Sequence, residues 1–176
     1  EFADRGLQLA PGDARLLWLR GAALFNLGRP AEALDPLVAA TAADSEDAEF
    51  ARTLARVAEQ VERVDLVAHA YSRVTEIDED DGEAWFQLAS AQTRLGRFAD
   101  ADRSLERARD LAPMRPGLFF LEGWIREGQG QPLAAIQLYR QHLQIHQTDQ
   151  VTRRRLVQLL ARERRWDDAF HEAEIV

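Results

Sequence analysis

The chain lacks cysteine altogether. That excludes disulfide staples and thiolate metal sites, and it leaves the redox compartment open. No stretch of 18 apolar residues occurs, so no transmembrane helix is expected. The opening Glu1-Phe2-Ala3-Asp4 shows no basic region followed by an apolar stretch, and no secretory signal is expected in this piece. An initiator Met is missing, which points to a fragment of a longer protein. Enzyme signatures are missing too: no phosphate-binding Gly-rich loop, nucleophile elbow or zinc-protease helix can be found, so no catalytic residue or cofactor is expected. Lysine is the last absentee. All 22 basic residues are Arg, a bias expected from a GC-rich bacterial genome rather than from a need for guanidinium chemistry.

What is present is a chain of 176 residues, 46% hydrophobic and 30% charged, the composition of a folded protein. Its formal net charge of −8 favours solubility and gives no general attraction to nucleic acid or membrane.

Self-similarity dominates the pattern. Gly28-Arg29-Pro30-Ala31-Glu32-Ala33-Leu34, Gly96-Arg97-Phe98-Ala99-Asp100-Ala101-Asp102 and Gly130-Gln131-Pro132-Leu133-Ala134-Ala135-Ile136 read alike, 68 and then 34 residues apart. A frame at Val67 fills the gap, and Arg164-Arg165-Trp166-Asp167-Asp168-Ala169-Phe170 continues the register. Apolar residues recur at three- and four-residue spacing, giving two short amphipathic helices per unit, each unable to bury its apolar face without a neighbour. About eleven helices of roughly ten to fourteen residues are expected, with no strand. Small residues at Gly21, Ala55, Ala89 and Gly123 suit close helix approach, and Gly28, Gly96 and Gly130 suit left-handed helix ends. Pro30 and Pro132 fit the first turn of the following helix, whereas Pro36 should bend its helix or open one hydrogen bond.

In the third unit Trp85, Leu88, Ala89, Gly96, Ala101, Leu105, Ala108 and Pro113 follow at set spacings. Here the chain resembles the tetratricopeptide-repeat family, with Leu17, Gly21, Leu24, Ala33, Leu37 and Ala40 matching in the first unit and Phe119, Gly123, Ala135 and Tyr139 in the fourth. The resemblance implies an all-α, right-handed α-solenoid: a partial repeat 1–13, repeats 14–47, 48–81, 82–115 and 116–149, and a partial repeat 150–176. The second unit departs most, with Ala51 in the Trp slot, Glu62 for the turn Gly and Val67 for the packing Ala; its first helix should be longer or its turn looser. In the fifth, Arg153 and Val157 take the Trp and Gly slots.

In that family the first helices line a concave groove that holds a partner peptide or helix, and the resemblance carries these slots to particular residues. The first unit supplies Arg15, Trp18, Ala22 and Phe25; the second, Arg52, Arg56 and Glu59. Phe86, Ser90 and Arg94 follow in the third, Phe120, Trp124 and Glu127 in the fourth, and Arg154, Gln158 and Arg162 in the fifth. Aromatic and Arg residues are the types that make interface hot spots, although Trp18, Phe86 and Phe120 could equally pack as core between helices. Trp18 and Ala22 stand where the family's carboxylate-clamp members begin their Lys and Asn pattern, so that subclass is not matched. The expected partner is a protein segment bearing acidic and apolar residues, held in the groove by a scaffold or adaptor. The alternatives are self-association through unfinished ends, with Phe170 involved, or a non-catalytic arm that presents substrates to an enzyme.

Three other features have plainer readings. His142 and His146 are four apart on one helix, yet no third metal ligand is evident and none is expected. Asp78-Glu79-Asp80-Asp81-Gly82-Glu83 has its Gly misplaced for a calcium loop and reads as a link between units ending in a helix N-cap. Residues 44–83 hold thirteen acids against four Arg, and residues 140–165 seven Arg against two acids. The basic end could meet an acidic peptide, but a solvated helix face is the simpler account, and nucleic acid is not an expected partner.

Overall fold

The computed structural model describes residues 2–175, and of Phe2 and Asp4 the backbone alone. Among these residues it contains eleven α-helices and no strand. Five helices open the units: α2 (Ala14–Asn26), α4 (Ala48–Gln60), α6 (Gly82–Arg94), α8 (Leu118–Gly128) and α10 (Gln150–Arg162). The others answer them: α1 (Phe2–Leu9), α3 (Pro30–Ala43), α5 (Val64–Ile77), α7 (Phe98–Leu111), α9 (Pro132–Ile145) and α11 (Trp166–Glu174). Each helix packs on its neighbours in sequence, and α2 also touches α4 and α6 touches α8. The core is correspondingly a chain of local clusters, such as Leu37 with Leu54 and Val67, Leu105 with Leu121 and Ile125, and Tyr139 with Leu156 and Leu160. This is an α-solenoid.

Two periodic devices set the helix ends. Four first helices are capped by an aspartate in one slot: Asp13 accepts from the Leu16 N–H, Asp47 from Glu49, Asp81 from Ala84, and Asp149 from both Val151 and Thr152. An oxygen there satisfies N–H groups that have no partner within the helix. The fifth member of that slot is Arg115, which cannot do this. There the chain passes through Gly117 at φ 90 and α8 starts only at Leu118, running 11 residues where the other four run 13.

The second device ends these helices. Residues 28, 62, 96, 130 and 164 all take the left-handed conformation, and the residue after each donates five residues back, as Arg29 does to the Leu24 carbonyl and Arg63 to that of Ala58. This pattern closes a helix with two backbone hydrogen bonds. Glycine suits the position at 28, 96 and 130. Glu62 and Arg164 adopt it at φ 57 and 59 despite their Cβ atoms. The second unit therefore departs from expectation: α4 has the same 13 residues as α2 and α6, and its turn is as tight as theirs. The paired hydrogen bonds and the burial of α4 hold Glu62 in a shape it disfavours.

Within a unit the helices meet at small residues. A Cβ on Gly21 would lie 2.5 Å from Leu37 Cγ, and one on Gly123 2.6 Å from Tyr139 Cε1. Ala55 and Ala89 are fully buried in the same slot. Pro36 sits buried in an α3 that continues to Ala43; its missing N–H leaves the Glu32 carbonyl without its helical donor. Arg153 fills the Trp slot of the last unit by lying buried against Glu172 (3.3 Å) and donating to the Gln147 carbonyl (2.6 Å), with Nε left without a partner among the described residues.

Candidate functional site: the row of first helices

The proposed groove slots fall on α2, α4, α6, α8 and α10, and these helices are joined side chain to side chain. Between α2 and α4, the Trp18 ring stacks on Phe50 with centroids 5.7 Å apart, and Trp18 Nε1 donates to Thr53 Oγ1 at 3.0 Å. The Arg56 guanidinium lies 5.6 Å from the centre of the Phe25 ring. From α4 to α6, Arg52 pairs with Asp81 at 2.6 Å and Glu59 takes Arg94 at 3.0 Å. From α6 to α8 the connection is made by Arg115, which grips Glu83 at 2.6 Å and lies 3.3 Å over Phe86. From α8 to α10, Arg155 covers Trp124 at 4.4 Å and pairs with Glu127 at 2.7 Å, and Arg162 also donates to Glu127.

The arginines expected to meet a partner are thus largely engaged within the protein. Arg52 and Arg94 each hold a carboxylate of the next or preceding first helix, and Arg162 shares Glu127 with Arg155. Arg56 stays exposed beside its aromatic partner, and Arg15, Arg154 and Gln158 are exposed. Trp18, Phe86, Phe120 and Trp124 are half-buried: they pack on the core or under arginines while keeping an edge at the surface, and Ser90 on α6 is half-buried too. Phe120 sits in an aromatic group with Trp124, Tyr139 and His142, all with centroids near 6 Å.

Glu127 gathers three donors from two neighbouring helices. It receives Tyr139 Oη at 2.9 Å in addition to the two guanidiniums. Burial pushes its carboxyl up, but the Arg155 and Tyr139 hydrogen bonds prevail and hold it below the usual glutamate range. Asp81 follows the same logic: burial opposes ionisation, while the Ala84 N–H and Arg52 outweigh it and lower the pKa. Burial in turn raises Tyr139 far above an ordinary tyrosine.

Two shallow cavities lie along this row. One, of about 540 Å³, is lined by Glu49, Arg52, Thr53, Arg56, Glu59, Tyr71 and Gln87. The other, of about 480 Å³, is lined by Glu127, Arg155, Gln158, Ala161 and Arg162. Both are polar and carry charges of each sign. The sequence did not single out Arg115 or Tyr71, and Arg155 stood out in it only as part of the basic run Arg153-Arg154-Arg155. Arg155 shares its slot with Leu19, Thr53, Gln87 and Leu121, which range from exposed to buried, and Arg115 stands in the slot of a capping aspartate. A charged residue of the wrong sign in the cap slot was the available signal for Arg115.

The remaining sequence features have structural roles. Asp81 ends the acidic run as the cap of α6. His142 is buried, with Nε2 2.9 Å from Asp149 and its ring 4.6 Å from that of His146; burial lowers its pKa against the opposing pull of Asp149. Among the described residues no three His, Cys, Asp or Glu side chains are grouped to hold a metal ion. Of the basic stretch, Arg153 and Arg155 turn inward and Arg165 pairs with Asp168. No helix among the described residues is long and apolar enough to cross a membrane.

Comparison with known proteins follows the same lines. The family model described as Tetratricopeptide repeat matches residues 86–149. Among solved structures, MamA (residues 41 to the end) from Desulfovibrio magneticus RS-1 is similar, with TM-score 0.76 at 15% identity over 92% of each chain. YrrB, described as a TPR protein with an unusual peptide-binding site, gives TM-score 0.72 at 20% identity, covering 86% of this chain and 78% of its own. A tetratricopeptide repeat protein from Parabacteroides merdae gives 0.74 at 11% identity, over 98% of this chain and 68% of its own. At such identities the likeness is one of fold. No curated protein matches the sequence.

Proposed function

The chain belongs to the tetratricopeptide-repeat family, and on that premise we propose that it is a non-catalytic protein-binding scaffold that holds a partner segment along its row of first helices. The observation that carries this reading is the lining of that row: half-buried aromatics with exposed edges, Trp18, Phe86, Phe120 and Trp124, interleaved with arginines fixed by neighbouring carboxylates. Fixed side chains lose little freedom on binding, so a partner gains contact without ordering its receptor. Aromatic and Arg residues are also the types that concentrate binding energy.

The pairing of Arg52, Arg94, Arg155 and Arg162 shifts the expected partner from one with acidic and apolar residues to one of mixed charge. A segment with apolar anchors and isolated charges of either sign suits a surface whose cations already have acids beside them. YrrB, with its peptide-binding site, is a precedent for this use of the fold.

The test is capture of partners by the chain and by the variant Arg56→Glu/Arg154→Glu, followed by affinity measurement on the partner found. Both residues are exposed, so the fold should survive. Binding should weaken by roughly 1–2 kcal/mol, and more at low salt. Arg103→Glu on α7, an exposed second-helix position, should leave it unchanged. A partner indifferent to the double variant but sensitive to second-helix changes would exclude the groove.

A second reading, self-association, has its own observation. The slot of Phe170 is buried at Leu34, Ala68 and Ile136, yet Phe170 is 74% exposed and Trp166 63%. Light scattering across concentration, with Phe170→Ser as control, separates this reading from the first.

A further inference from the structure

The regular spacing fails at one place, and a cavity opens there. Because Arg115 stands in the capping slot and α8 begins late, residues 112–117 form the longest connection between helices in the described chain. Beneath it, between the end of α7, the start of α8 and the last turns of α9, lies a cavity of about 680 Å³. It is separate from the row of first-helix slots: it uses Phe119 rather than Phe120 or Trp124, and it is more enclosed than the two cavities on that row.

Its walls are largely apolar. Met114, the single methionine of the chain, is 91% exposed at the rim, Ile145 64% and Phe119 38%. Leu138 completes the apolar wall. Exposed large apolar side chains gathered around one concavity mark a binding site more often than a solvated surface, and Met adapts its shape to what it contacts. The volume falls in the usual range of about 300–1,000 Å³ for small-molecule sites, which are mostly apolar with a few polar groups. The charged lining is two arginines, Arg109 and Arg115, against one carboxylate, Glu122. Glu122 is shared between Arg109 and Arg126, Arg126 also pairs with Asp102, and Arg115 is held by Glu83, so the charges around the cavity are balanced. No lining carboxylate is left without a guanidinium, so a bound anion meets no uncompensated acid, on a chain whose overall charge is −8.

We propose that this cavity under the α7–α8 connection is a binding site for a small amphiphile, an acyl or aromatic body carrying one anionic group. The apolar body lies against Met114, Phe119, Leu138 and Ile145, and the anion sits at the Arg109 edge. The site goes beyond the scaffold reading and does not depend on it.

The probes are 1-anilinonaphthalene-8-sulfonate, whose fluorescence rises in apolar surroundings, and decanoate as competitor. The chain should bind the dye saturably at one site, and decanoate should displace it. Met114→Asp and Ile145→Asp alter exposed side chains and leave the helical circular dichroism intact; each should weaken dye binding at least tenfold. Arg56→Glu on the first-helix row and Phe170→Ser on α11 should leave it unchanged, which separates failure here from failure of the scaffold reading. 1-Decanol should compete at least fivefold less well than decanoate, and Arg109→Gln should narrow that difference. Absence of saturable binding, insensitivity to both cavity variants, loss on Phe170→Ser or Arg56→Glu, or equal competition by decanol would each overturn the proposal.

Discussion

Arg94 on α6 reaches back 35 residues to Glu59 on α4, and Arg162 on α10 reaches back the same 35 residues to Glu127 on α8. One slot of the repeat thus carries an arginine that staples a first helix to the one before it. The two staples sit in different surroundings, and that decides their weight. Arg94 and Glu59 are about a third or more exposed, so solvent screens the pair and its contribution is at most about 1 kcal/mol.

The first prediction follows from that exposure. Arg94→Glu sets acid against acid and should cost up to about 1 kcal/mol in low salt, less at high ionic strength. The exchange Arg94→Glu/Glu59→Arg should recover most of it. Urea denaturation of the wild type, the single variant and the double variant at two salt concentrations measures this. A double variant as unstable as the single would show that the pair does not couple.

Glu127 should matter more. Its side chain is 13% exposed and accepts from three groups, so Glu127→Ala strands the buried Tyr139 hydroxyl and leaves the half-buried Arg155 without its acid, and should cost about 1–3 kcal/mol. The pH dependence has a definite sign. The folded pKa is held below the ordinary value of 4.5, so the stabilisation is complete above that value and is lost as pH falls through the lower folded pKa. Asp81, Glu83 and Asp149 are shifted the same way and add to the effect. His142, whose folded pKa is lowered from 6.5 by burial, adds a decline that begins as pH falls through about 6.5, so denaturation midpoints should drift down from there and fall more steeply below about pH 5. Glu127→Gln should make the steeper part shallower.

Much of this was legible in the sequence because it repeats. Periodicity alone located the helices, the left-handed residues at 28, 96 and 130, and the close-approach slots at Gly21 and Gly123. What it could not supply was the partner of each charge. Arg52, Arg94 and Arg162 read as free cations because their acids lie one unit away, at distances fixed by how the units stack and not by local spacing. Arg115 was passed over for a related reason: it breaks the aspartate pattern of its slot, and pattern matching discards such positions. The late start of α8 and its cavity went unseen as well, since a missing cap changes the backbone around it without leaving a motif.

Close approach of the paired helices makes a third prediction. Gly123→Ala would place a methyl group 2.6 Å from the Tyr139 ring, which is fully buried and hydrogen-bonded to Glu127. The ring cannot turn aside, so the cost should be about 1–3 kcal/mol. Gly21→Ala meets Leu37 at 2.5 Å, also in a fully buried position, and should cost a similar amount. Gly12→Ala, with nothing near it, should be neutral. Thermal denaturation of the three variants orders them, and a neutral Gly123→Ala would mean that the α8–α9 pair has more slack than its geometry shows.

The left-handed turns supply the last prediction, and its two halves must agree. Glu62 and Arg164 occupy a backbone region that costs a side-chain-bearing residue about 1–2 kcal/mol, whereas glycine enters it freely. Against this, glycine loses more freedom on folding, which takes back roughly 0.5–1 kcal/mol. Glu62→Gly should therefore stabilise the chain by about 0.5–1 kcal/mol, and Arg164→Gly likewise. Neither side chain's removal should oppose this, as both residues are exposed. The converse change, Gly96→Glu, puts the strain of Glu62 into the third unit and should destabilise by a similar amount. It should not prevent folding, because Glu62 already shows that the same pair of backbone hydrogen bonds can close the turn around a Cβ. Urea midpoints of these three variants settle the sign. If Glu62→Gly destabilises while Gly96→Glu is neutral, the left-handed turn is not a source of strain in this solenoid.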